Sequence, residues 1–128
     1  MPYGTLGADV VQSSTAGTPP QFNDGNGTQT GTLCRAWVNF NGTGTVAIRG
    51  SFNVSSITDN GTGDYRVNFT TAMVDTNYCT NVTSDATGNY YVGAMYGSGY
   101  TTSYAGVRTL NASGTLTDSP VVNVSVFR

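Results

Sequence analysis

Hydrophobic and polar positions alternate with a period of two across most of Cys34–Thr71 (CRAWVNFNGTGTVAIRGSFNVSSITDNGTGDYRVNFTT), the signature of half-buried β-strands. Ala36, Val38 and Phe40 fall on one face, with Arg35, Trp37 and Asn39 on the other. Asn41-Gly-Thr-Gly44 is rich in residues that accept the positive φ of a hairpin loop. Beyond it, Val46 and Ile48 are expected to continue the apolar face. Gly50 reads as a bulge or corner. Phe52, Val54 and Ile57 follow, and their spacing slips by one at Ser55-Ser56, which predicts a second irregularity. Asp59-Asn-Gly-Thr-Gly63 is the next turn. Tyr65, Val67 and Phe69 then restore strict alternation against Arg66, Asn68 and Thr70.

The rest of the chain continues in kind. Asn77–Thr83 predicts a strand with Tyr78, Thr80 and Val82 opposed to Cys79 and Asn81. Tyr90–Gly97 predicts a further strand, followed by a loop over Gly97–Thr102 that carries Tyr100. Ser103–Leu110 is read as a strand with Tyr104 and Val107 inward, and Asn111–Pro120 as a loop. Val121–Phe127 closes the series, Val122, Val124 and Val126 alternating against Val121, Asn123 and Ser125. Strand starts at this spacing predict an antiparallel all-β domain of the β-sandwich or jelly-roll kind over residues 32–128. Residues 1–31 differ. They are rich in Gly, with a strand suggested only at Thr5–Gln12, and read as an extended N-terminal arm. Leu6, Val10 and Phe22 are among its few large apolar residues and are its candidate attachment contacts. Trp37, out of phase with the core positions, is expected on the opposite sheet face or at a subunit contact. Tyr100 is the candidate exposed ring for an oligomer or ligand contact.

Composition sharpens this picture. The 128 residues carry five cations, seven anions and no histidine; every cation is Arg and every anion Asp. The missing Lys and Glu are strong formers of exposed helix, whereas the abundant Thr, Val and Tyr favour strands. A net charge of −2 supplies no cationic surface for nucleic acid. No apolar run reaches membrane-spanning length, so no membrane insertion is expected. MPYGTLGADVV lacks the charged-then-apolar order of a signal peptide. Assembly in a reducing compartment then suggests that Cys34 and Cys79 are buried free thiols.

Candidate chemistry is thin. Without His or Glu the commonest general bases are missing, and neither cysteine has a histidine partner, so no catalytic residue is named. The cysteines and acids have no metal-ligand spacing. Asp59-Asn-Gly-Thr-Gly-Asp64 has oxygen ligands but not the acidic spacing or terminal Glu of a calcium loop. No metal or cofactor is therefore expected. Eight Asn-x-Ser/Thr triplets occur, at Asn26, Asn41, Asn53, Asn60, Asn68, Asn81, Asn111 and Asn123. Several lie within predicted strands and read as strand chemistry rather than glycan acceptors.

The segment AWVNFNGTGTVAIRGSFNVSSITDNGTGDYRVNFTTAM, Ala36–Met73, resembles a module of bacteriophage virion proteins, often found at the C-terminal end of tail fibres in phages of marine and freshwater bacteria, cyanophages included. The closing VNVSVFR is similar to that family's ending. The resemblance implies a non-enzymatic β-domain on a virus particle, oligomeric and commonly trimeric, assembled in the host bacterial cytoplasm. Expected partners are other virion proteins, of the tail or the major capsid protein, with a host surface glycan or protein as a possible ligand. A tail fibre or fibre-like adhesin is the first expectation. Met1–Gly31 stand where a long stalk would be, which makes a capsid decoration (cement) protein the alternative.

Overall fold

The computed structural model describes residues 7–16, 21–23, 28–30, 33–85 and 92–128. The chain divides into two units, Met1–Leu33 and Cys34–Arg128. In the first, β1 (Gln21–Asn23) and β2 (Thr28–Thr30) form a short antiparallel ribbon. The strand expected over Thr5–Gln12 is not formed in its described part, where residues 7–16 contain only bends and a turn.

The second unit is all-β: two antiparallel four-stranded sheets packed on a common core. Its strands are β3 (Cys34–Asn41), β4 (Ala47–Phe52), β5 (Val54–Gly61), β6 (Asp64–Phe69), β7 (Cys79–Asp85), β8 (Val92–Tyr100), β9 (Tyr104–Leu110) and β10 (Val121–Phe127). The first sheet runs β4-β3-β10-β7 and the second β5-β6-β9-β8. Alternation in β3 and β10 turns Ala36, Val38, Phe40, Val122, Val124 and Val126 inward, where they meet Tyr65, Val67 and Phe69 of β6 and Ala105 and Val107 of β9. Phe40 meets Tyr65 edge-to-face, ring centroids 5.3 Å apart. Burying each large side chain contributes roughly 1.5–3 kcal/mol, so these strand faces hold the sheets together.

Two polar clamps close the ends of the sandwich. At one end the chain passes directly from β4 into β5 through Asn53, whose φ is 54°, a left-handed value that Asn accepts more readily than most residues. Its carboxamide donates to the carbonyls of Arg35 (3.0 Å) and Thr71 (3.1 Å) and accepts from the Thr71 amide (2.7 Å). At the other end the buried Tyr65 hydroxyl lies 2.9 Å from the Gly42 carbonyl and 2.8 Å from Asp118 Oδ1. Burial and the Asp118 carboxylate beside it push the phenol's pKa well above its ordinary value. A Cβ at Gly42 would stand 2.6 Å from that hydroxyl, so this approach requires glycine.

The structure corrects several expectations. Ser55 is the extra residue of a register shift, as the slipped spacing predicted. The irregularity near Gly50 falls at Arg49, since Asn39 pairs with Gly50 and Phe40 with Ile48. That shift reverses the parity of β4, and Phe52, expected on the apolar face, is 55% exposed beside Trp37. Ile48, on an edge strand, is also exposed, whereas Val46 packs on the core. Tyr104 is not inward. Ala105, Val107 and Thr109 are, and a regular strand cannot turn positions 104 and 107 to the same side. Tyr100 ends β8 rather than riding a loop. Cys34 is half-buried and Cys79 exposed; both are free, because each sits at the margin of the first sheet, paired with Phe127 from opposite sides. The expected strand start at Tyr90 lies outside the described residues.

Candidate functional site

What the sandwich displays is set by the residues that alternate out of its core. Across the middle of the first sheet these include Trp37 and Asn39 of β3, Asn123 and Ser125 of β10, and Asn81 and Thr83 of β7, with Arg35 and Asp85 on the same side toward the strand ends. The register arranges those of the middle in two rows across three strands. Trp37 stands opposite Ser125 and Ser125 opposite Asn81; Asn39 stands opposite Asn123 and Asn123 opposite Thr83. Together with Val38 and Val124 they line a shallow groove of about 250 Å³.

The groove contains no ionisable side chain. Asn39 Nδ2 donates to Asn123 Oδ1 (2.6 Å), and Asn123 Nδ2 donates to Thr83 Oγ1 (3.3 Å), so the second row is a chain of hydrogen bonds running across the strands. In the first row, neither the Asn81 carboxamide nor the Ser125 hydroxyl has a side-chain partner among the described residues. Trp37 borders the groove and is 43% exposed. Its six-membered ring lies over β4 at Gly50, where an added Cβ would come within 3.4 Å of it. Phe52, directly opposite Trp37, extends the aromatic margin. Arg49 donates to the Pro120 carbonyl at 2.6 Å.

The other expected contact residues do not gather here. Tyr100 is exposed, as expected, but belongs to the second sheet, its ring centroid 5.5 Å from that of Tyr78. Val10, 73% exposed, lies in the first unit. Leu6 and the side chain of Phe22 lie outside the described residues. Asn39, Asn81, Thr83, Asn123 and Ser125 were not singled out as contacts from sequence. Their signal was present in Asn81-Val-Thr83 and Asn123-Val-Ser125. A two-residue spacing keeps both polar groups on one face, and antiparallel pairing then sets each Asn beside a hydroxyl.

No three acids, cysteines or histidines gather among the described residues where they could hold a metal ion. The groups with displaced pKa values lie away from the groove. Burial raises Tyr78 as it does Tyr65. The Arg128 guanidinium holds Asp75 down at about 2 through a bidentate pair at 2.8 and 2.5 Å, and the same contact raises Arg128. What the groove offers is therefore hydrogen bonding and ring stacking rather than proton transfer. No protein-family model matches the chain, and no curated protein or solved structure matches it.

Proposed function

We propose that the protein is a non-enzymatic structural component of a bacteriophage particle, displayed at its surface as a tail fibre or fibre-like adhesin. The observation that supports this reading most is the division of labour within the β-sandwich. Its interior is packed and clamped at both ends, while one sheet presents a groove lined by neutral side chains beside an exposed tryptophan. Such a face suits recognition on a rigid support. The likeness of Ala36–Met73 to phage virion modules supports the setting.

The first unit is read as the attachment segment. A two-stranded ribbon of three-residue strands is marginal alone, so another virion protein would complete it, with Leu6, Val10 and Phe22 as contacts. Exposed Ile48, Val74 and Leu116 leave apolar surface that subunits of a homotrimer would cover. Immunogold labelling of intact particles tests the reading. Label at the tail is expected, with few copies per particle. Label over the whole head, at hundreds of copies, overturns it in favour of a decoration protein binding the major capsid protein. Sedimentation equilibrium at micromolar concentration tests the trimer, and a stable monomer removes it.

A further inference from the structure

The face built on β3, β10 and β7 has a chemistry narrow enough to define its ligand. We propose that it binds an uncharged glycan, one pyranose ring lying against the Trp37 indole and the adjoining sugars crossing the Asn, Ser and Thr rows.

Charge selects the class. Trp37, Asn39, Asn81, Thr83, Asn123 and Ser125 are all neutral. An anionic or cationic ligand seated among them would be desolvated with no counter-charge from the lining, which is costly; a polyol would not. Arg35 and Asp85, the charged residues on this side of β3 and β7, stand toward the ends of their strands, outside that lining. Hydrogen-bonding capacity agrees. A carboxamide offers donors and an acceptor side by side, and a hydroxyl offers both, the complement of the vicinal hydroxyls of a sugar. Asn81 and Ser125, opposite each other in the ladder, retain that capacity. The flat apolar ring of Trp37 supplies the surface on which the C–H face of a sugar packs. All six side chains stand on strands in the middle of a ladder, so little ordering entropy opposes binding. The groove, at about 250 Å³, is smaller than the roughly 300–1,000 Å³ of ligand pockets. It fits a short stretch of an extended chain, with a dissociation constant on the order of 0.1–1 mM per site. A second copy is a poorer match, because polar side chains stand on all three strands and the large exposed rings of this sheet are confined to the Trp37–Phe52 margin.

The inference rests on the surface-display reading only for where such a glycan would be met. Binding is a property of the isolated full-length chain and is measured without the particle. Trp37 is the one tryptophan, so its emission reports this face alone. The probes are neutral hexose and N-acetylhexosamine oligosaccharides, with sulfated and uronic-acid oligosaccharides as charged counterparts. At least one neutral probe is expected to change the emission saturably and to protect Trp37 from acrylamide, with an affinity unaffected by salt. By calorimetry, Trp37→Ala should weaken binding at least about tenfold, and Asn81→Ala and Ser125→Ala about three- to tenfold each, with unchanged thermal unfolding. Trp37→Phe should restore part of the loss. The proposal is overturned if no neutral probe responds, or if only charged probes bind in a salt-dependent way. Protection of Trp37 by rising protein concentration alone also overturns it and assigns the face to a second copy. A head-wide or absent particle label would sink the adhesin reading and leave this binding result standing.

Discussion

The two sheets of the sandwich bury similar faces but expose different ones. Outside the second sheet the polar groups are occupied with one another. Arg108 Nε meets Asp64 Oδ2 at 3.0 Å, Arg66 lies over the Tyr104 ring at 4.9 Å, and Asn68 donates to Ser56 (3.0 Å) and Thr58 (2.9 Å). Outside the first sheet, charge is absent from the groove, and Asn81 and Ser125 have no such partner among the described residues. Both faces arise from the same alternation. One is closed on itself and acts as a surface that holds the fold; the other is left with unspent hydrogen-bonding capacity beside an exposed ring. Asparagine alone therefore does not mark function. What distinguishes Asn81 from Asn68 is whether the neighbouring strand already satisfies it.

Substitutions can sharpen or break this contrast. The largest effect should come from the shared interior, which serves as the reference for both faces. Phe40→Ala, which leaves a cavity against Tyr65, should cost about 3–5 kcal/mol in urea unfolding followed by far-ultraviolet circular dichroism. Next comes the Asn53 clamp. Asn53→Ala removes three hydrogen bonds and leaves a Cβ-bearing residue without local support at φ 54°. A loss of about 1–3 kcal/mol is expected, and an unchanged midpoint would mean that the corner is held by the strands alone. The direct comparison is Asn68→Ala against Asn81→Ala. The first should cost about 0.5–1.5 kcal/mol, and the second should stay within about 0.5 kcal/mol of the parent. Equal losses would erase the distinction between the faces. Arg108→Ala, breaking a half-exposed pair, should cost about 0.2–1 kcal/mol and less at high salt.

The smallest effect lies at Asp75, beyond either face. Its folded pKa, about 2, is below the ordinary value of 3.8, so its pairing with Arg128 stabilises the protein above that ordinary value and is lost as pH falls toward 2. Asp75→Asn should flatten this small part of the acid limb in pH-dependent thermal melts. An acid limb identical in the variant and the parent would show that the exposed pair contributes nothing.

The all-β class, the two hairpins, the inward valines of β10 and the Ser55 slip were legible because each rests on local alternation or turn chemistry. Trp37 could be placed away from the core because it breaks phase with Ala36, Val38 and Phe40. What local pattern could not carry was parity after an irregularity. One extra residue at Arg49 turned Phe52 outward, and no periodicity in β4 marks where the extra residue falls. The groove was illegible for a different reason. Its rows join β3, β10 and β7, which are far apart in sequence, and only the pairing of the last strand between the other two brings Trp37, Ser125 and Asn81 into line. Tyr100 shows the converse. It is exposed as expected, but it ends a strand rather than riding a loop, and its ring meets Tyr78, a long-range contact that flanking glycines and threonines do not reveal.

The central placement of β10 also governs how the sandwich answers force. Cys34 at the start of β3 pairs with Phe127 at the end of β10, so both ends of the unit leave from the same rim. A pull between them loads the rungs of that ladder one after another, like a zipper opened from its tab, rather than all at once as in shear. Tension along the chain would peel the middle of the first sheet and scatter the groove, whereas a tether through one end alone transmits no strain across it. A unit wired in this way keeps its rows of side chains in register under load only when the load enters through one end alone.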